Sequence, residues 1–183
     1  MPKSQVVRLC LAQDAEADAL LSENPFSLLV GMVLDQQVPL EWAFRAPKEL
    51  ARRVGAPLDA STLAAMDPER LTALFAAKPS LHRYPASMAK RVQALAADLA
   101  ENYRGDAAGV WKDAASGKEL LARVKALPGF GDQKARIFVA LLGKQFGVHP
   151  DGWAEVSAPY GETGSFRSIA DIVDEASLVK VRE

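Results

Sequence analysis

An all-α fold is predicted from three features of the chain. Apolar residues recur at helical spacing along most of it, prolines and capping residues stand where helices start and stop, and strand signals are scarce. The amino-terminal "QVVRLCLA" leaves a short strand and a helix entry equally open. "SENPFSLLVGMVL" is clearer: Asn24 is placed to cap, and Pro25 fits the first helical position, where its missing N–H costs nothing. Phe26, Leu29, Val30, Val33 and Leu34 share one face of that helix, which is expected to be deeply buried. A second helix is expected to begin after Pro39 and run through Trp42 and Phe44.

"MDPERLTALFAAKP" repeats the Asp-Pro opening at Asp67 and Pro68 and closes before Pro79. Met88, Val92, Leu95, Ala96 and Leu99 form another stripe, ending near Tyr103 to Asp106. Leu120, Leu121, Val124 and Leu127 lead into "LPGFG", after which Ala135, Phe138, Val139 and Leu142 resume the period, giving helix, hairpin, helix. Ala158 to Ser168 reads as a loop, and a final amphipathic helix is expected from about Ile169. No repeat of solenoid length is present.

A chain of 183 residues, 49% hydrophobic and 25% charged, can bury a substantial core as one domain or two small lobes. Cys10 is the only cysteine, so the chain has no internal disulfide, no cysteine zinc site and no four-cysteine iron–sulfur cluster. His82 and His149 lie far apart in sequence without ligand-like neighbours, and no metal site is expected. The longest apolar run, Phe26 to Leu34 broken by Ser27, is too short to span a membrane, and the amino terminus lacks the pattern of a secretory signal. A cytoplasmic protein is therefore expected.

The net charge of −1 argues against binding nucleic acid by bulk electrostatics. Its distribution is uneven. Between Lys118 and Lys144 six basic residues (Lys118, Arg123, Lys125, Lys134, Arg136, Lys144) stand against Glu119 and Asp132, whereas the tail beyond is acidic. Such a patch suits a small phosphate footprint or a solvated helix face.

The turn inside this stretch needs glycine for two separable reasons: a positive φ at one position, and no side chain where a backbone or ligand comes close at another. Asp132, Gln133 and Lys134 then open a helix whose free N–H groups and dipole favour an anion. Taken alone, the turn fits a packing device and a phosphate cradle equally well.

Its company favours the cradle. "LLARVKALPGFGDQKARIFVALLG" resembles the helix-hairpin-helix of the DNA glycosylase superfamily (HhH-GPD), and "NPFSLLVGMVLDQQVPL" is similar to the segment that opens the helical domain of those enzymes. The paired glutamines are closer to the alkylbase-glycosylase branch than to the endonuclease III branch. With the "SMAKRVQALAADLA" helix between them, the motifs cover roughly two thirds of the chain in the expected order.

The resemblance implies a two-lobed helical fold. Residues 26–147 would form a helical domain ending in the hairpin, and residues 1–25 and 148–183 a second small lobe built from both termini. Gly129, Phe130, Gly131, Gln133 and Lys134 would contact DNA phosphates, with room for a monovalent cation at the hairpin and no iron–sulfur cluster. Gln37, flanked by Gln36 and Val38, would be the wedge that fills the gap left by a flipped nucleotide. As the base leaves, positive charge builds on the sugar and a nearby carboxylate stabilises it. The family aspartate, about 22 residues after the first hairpin glycine, falls on Asp151, expected in the cleft between lobes. Its surroundings, "HPDGW", depart from the family's apolar-Asp-x-His pattern, so Asp35 in "LDQQ" is the reserve carboxylate.

Bifunctional relatives carry an imine-forming lysine in the first turn after the hairpin, where this chain has Gln133. A monofunctional glycosylase is implied, with Lys134 either a phosphate contact or solvated. Trp42 is the first choice for stacking on a flipped base and Trp153 the second, ahead of Tyr84 and Trp111. The implied partner is double-stranded DNA bearing a modified base, bound by a monomer at the nucleoid. Two other readings stay open: a non-catalytic DNA-damage or DNA-structure binder using the same hairpin, and an interaction module unrelated to DNA.

Overall fold

A computed structural model describes residues 9–182, and among these the chain is wholly helical, without strands. Of the amino-terminal segment of undecided structure, residues 5–8 lie outside them, and residues 9–12 are neither helix nor strand. No single described helix is long and apolar enough to cross a membrane.

Helix α2 (Pro25–Leu34) is the axis of the fold, and it forms as its sequence dictates. The Asn24 side chain accepts the Ser27 N–H at 3.2 Å, Pro25 occupies the first turn, and every residue from Phe26 to Leu34 is buried. Burial all round, where one face was expected, follows from packing on several sides: α1 (Ala15–Glu23), α3 (Leu40–Val54) and α6 (Pro85–Asn102) all touch α2. Against α3 the approach is tight, and a Cβ on Gly31 would lie 2.6 Å from the Phe44 ring. Helices α4 (Ala60–Ala65) and α5 (Pro68–Ala76) lean on α6, each capped by an aspartate, Asp59 and Asp67.

Helices α7 (Gly117–Lys125) and α8 (Asp132–Phe146) form the expected hairpin, joined by the glycine turn. The short α9 (Trp153–Val156) follows. The final helix, α10 (Glu175–Arg182), starts six residues later than Ile169, where only a 3₁₀ turn forms. The delay has a local cause: Asp174 accepts the Ser177 N–H at 2.7 Å and so caps the helix there.

Contacts also run across the boundaries expected for the lobes, 26–147 and 1–25 with 148–183. Helix α8 packs on α9 and the Ile169–Asp171 turn, so the hairpin joins the carboxyl-terminal segment, and α1 joins α2 and α3. A buried ion pair from Lys144 of α8 to Asp171 holds the first of these arrangements together. The termini do meet at one place, where Gln13 lines a cavity with Glu175, Leu178 and Arg182.

Candidate active site

The two hairpin glycines serve the separate purposes expected of them. Gly129 has φ +88°, and a Cβ there would press on Val33 of α2 at 3.3 Å, so it sets the turn and seats the hairpin. Gly131 is exposed, with ordinary φ −73°, and nothing lies within 4 Å of where its Cβ would be. It is the N-cap of α8 and offers no side chain, so the first-turn N–H groups lack an internal partner and face outward. Phe130 contributes differently from expectation. Its ring is buried edge-on to Phe138 at 5.9 Å, and its N–H is taken by the Leu127 carbonyl at 3.1 Å.

Most of the basic patch is already neutralised. Arg123 pairs with Asp113 and Glu119, Lys125 and Arg136 share Asp132, and Lys144 holds Asp171. Lys134 makes no ion pair with a described residue. Its side chain turns into a cavity of about 440 Å³, as does that of Gln133, whose Nε2 donates to the Tyr160 hydroxyl at 3.0 Å. Lys134 is half-buried, whereas Gln133 remains exposed at the cavity rim.

Asp35 enters the same cavity from the carboxyl end of α2. Ile137, Ile169, Ile172 and Leu178 supply apolar walls, and Arg167 and Arg182 stand at the edge. The environment acts on both charges. Burial pushes the Asp35 carboxyl up to about 6 despite the opposing pull of Lys134, while burial lowers the Lys134 ammonium despite Asp35. They form no contact ion pair within 4 Å, which leaves space between them.

Asp151 does not reach this cavity. Gly147, in the left-handed region, ends α8, and the returning chain lies directly on the amino end of α7, where Asp151 accepts the Gly117 N–H at 2.7 Å through its backbone carbonyl. A Cβ on Gly117 would strike the Gly152 backbone at 2.6 Å, so this seat requires glycine. The seat is at the end of α7 remote from the hairpin, and the Asp151 side chain is exposed. Asp151, the first choice by spacing, thus stands at the far end of the helix pair, and Asp35, the reserve carboxylate, lines the cavity.

The glutamine loop is held at one residue and free at the next. Gln36 donates to the Val33 carbonyl at 2.8 Å and accepts from Arg91 at 2.9 Å, and Val38 packs against the core. Gln37 is exposed at the tip with φ +59°. Near it stand the exposed Tyr84 and Arg91, which line a shallow cavity with both glutamines and which motif reading did not connect with this loop.

Neither tryptophan expected in the base pocket lines the Asp35 cavity. Trp42 lines the neighbouring cavity of about 680 Å³ with Glu41 and Arg182, whose ion pair stands beside it, and its ring stacks at 6.4 Å on His82. Trp153 lies on Gly143 and stacks on His149 at 5.1 Å. Trp111 is edge-on to Phe138, packed against the core. The aromatic residue lining the Asp35 cavity is Tyr160, which sequence spacing gave no reason to single out.

The sequence is matched by a known protein family. A family model described as HhH-GPD superfamily base excision DNA repair protein matches residues 30–173. A solved structure of a trapped endonuclease III–DNA covalent intermediate, an estranged-adenine complex, is similar at 23% identity and a TM-score of 0.47. That similarity covers 86% of this chain and 66% of the other, just under two thirds of its length. No curated protein matches the chain.

Proposed function

This chain belongs to the HhH-GPD superfamily of base excision DNA repair proteins, and from that premise we propose that it is a monofunctional DNA glycosylase acting as a monomer on a modified base in duplex DNA. The observation that carries the reading is the convergence of Asp35 and Lys134 on one cavity at the foot of the hairpin. The free N–H groups after Gly131 would hold the phosphate backbone, and Gln37 at its loop tip would enter the duplex as the nucleotide turns out. Arg91, beside that tip, would hold the adjoining phosphates.

The flipped nucleoside would place its C1′–N bond against Asp35. As that bond breaks, its electron pair leaves with the base and the sugar becomes cationic, which the carboxylate stabilises. Water then adds at C1′, its proton passes to Asp35, and Asp35 returns that proton through solvent to the departed base. A carboxyl raised to about 6 is still ionised at neutral pH and is a stronger base than an ordinary aspartate. The products are the free base and an abasic sugar.

Lys134 supports a second reading. A half-buried amine whose proton is held less tightly than usual, inside the reaction cavity, is suited to attack C1′ and form an imine that leads to strand cleavage. The monofunctional reading rests on Gln133, which has no such chemistry.

The test is incubation of the purified protein with duplexes carrying alkylated, deaminated, oxidised or mismatched bases, followed by alkali. Alkali-dependent cleavage at one class of lesion is the expected result. Intact duplexes throughout, with salt-sensitive binding, would select a non-catalytic DNA binder instead.

A further inference from the structure

His82 is the most deeply buried polar ring in the described chain, fully enclosed between Trp42 at 6.4 Å and Tyr84 at 6.1 Å. Its hydrogen bonds determine its state. The Tyr84 backbone N–H donates to Nδ1 at 3.0 Å, so Nδ1 is bare and Nε2 carries the proton. That single N–H is shared by two carbonyls, Leu34 at 3.1 Å and Gln36 at 3.0 Å. These are the residues on either side of Asp35.

We propose that His82 is the positioning residue for the Asp35 carboxylate: it ties the backbone on both sides of Asp35 to the amino end of α6 and so holds that side chain in the cavity. The inference rests on Asp35 being the working carboxylate. Asp35 needs such a clamp because it follows the last helical residue of α2, accepts no hydrogen bond from a described residue, and is succeeded at Gln37 by a left-handed turn. The favourable state for an unheld, desolvated carboxylate is to swing out to water. Glu41 and Lys134 also act on Asp35, and Arg91 and Lys134 on His82, so the clamp works among fixed charges. Burial, the dominant influence, lowers the His82 imidazole and keeps it neutral at physiological pH; a second proton at Nδ1 would confront the Tyr84 N–H, donor against donor.

The test has a readout independent of catalysis. The Asp35 carboxyl is titrated by carbon NMR in the DNA-free protein for wild type, His82→Leu, which lacks the donor, and His82→Gln, whose amide N–H can replace Nε2. Wild type should titrate near 6, His82→Leu should fall toward the ordinary aspartate value of about 4, and His82→Gln should recover most of the difference. In base release, His82→Leu should lower kcat about a hundredfold with KM little changed, because the carboxylate is misplaced while the DNA contacts remain. An Asp35 titration indifferent to His82 in folded variants overturns the inference, even if base release is active. A titration that follows His82 in a protein that releases no base supports the clamp and counts against the function. Should His82→Leu fail to fold, nitrogen NMR of wild type decides: an Nδ1–H tautomer, or a ring that protonates above pH 7, overturns it.

Discussion

Asp35 at the carboxyl end of α2 and Lys134 in the first turn of α8 occupy one cavity without touching, each shifted by burial toward its neutral form. Lys134 stands three residues beyond Gly131, and Gly129 seats the hairpin on Val33, two residues before Asp35. The turn that presents free N–H groups outward is therefore fixed to the helix that carries the carboxylate. Any phosphate held at α8 would be held at a set distance from Asp35, the kind of positioning on which a glycosidic reaction depends.

The Asp35 environment makes a trade-off between activity and stability. Its folded-state carboxyl is raised above the unfolded value, so its contribution to stability is fully present below about pH 4 and is lost as pH rises through about 6. At pH 7.5 the buried charge costs about 2–3 kcal/mol. Asp35→Asn should accordingly raise Tm at pH 7.5 and change it little at pH 4, as followed by thermal unfolding. Activity should move the opposite way, falling as pH drops through about 6. An unchanged or lower Tm for the variant at pH 7.5 would contradict a desolvated Asp35.

The hairpin glycines should separate cleanly by substitution. Gly129→Ala places a side chain at φ +88° against Val33 and should cost about 1–2 kcal/mol in chemical denaturation. Gly131→Ala is accommodated at φ −73° in open space and should cost less than about 1 kcal/mol. Yet it should weaken duplex binding about tenfold, since its methyl group meets the incoming phosphate. Equal losses of stability in both variants, or unimpaired binding by Gly131→Ala, would refute the division of roles.

How much of this was legible in the sequence varies with the range of the interactions. The buried α2 and the hairpin were readable because capping residues, Pro25 and the two glycines encode their conformations locally. Helices α1 and α4 carry the same aspartate caps, at Asp14 and Asp59, but their apolar patterns are short and weak and did not separate from loop. The site was less legible because it depends on contacts far apart in sequence. Asp151 satisfies the spacing, and only the packing of residues 150–153 on Gly117 sets it apart from the cavity that holds Asp35. The basic stretch counts charges without revealing that Arg123, Lys125, Arg136 and Lys144 are already paired. His82 gave no signal at all, since its three partners lie at Leu34, Gln36 and Tyr84.

Borohydride trapping distinguishes the two fates of the sugar. With a duplex bearing an excised-base lesion, the monofunctional reading predicts no covalent protein–DNA adduct after reduction. An adduct that persists in Gln133→Ala and is lost in Lys134→Ala would replace it with the imine route through Lys134.

The contact between α8 and the tail should be energetically important. Lys144 and Asp171 are largely shielded, at 14% and 5% side-chain exposure, and Asp171 also accepts from Ser165 and from the Arg167 N–H at 2.9 Å. Lys144→Met would leave a buried carboxylate without its cation and should cost about 3 kcal/mol in urea unfolding, with Asp171→Asn in the same chain restoring part of it. A loss below about 1 kcal/mol would show the pair to be incidental.

The most direct measurement is single-turnover base release from a responsive lesion duplex by wild type, Asp35→Asn and Asp151→Asn side by side. Asp35→Asn should lower the rate by about 10²- to 10³-fold while binding the duplex normally, and Asp151→Asn should match wild type. Full activity in Asp35→Asn with its loss in Asp151→Asn would contradict the assignment of the cavity as the reaction centre.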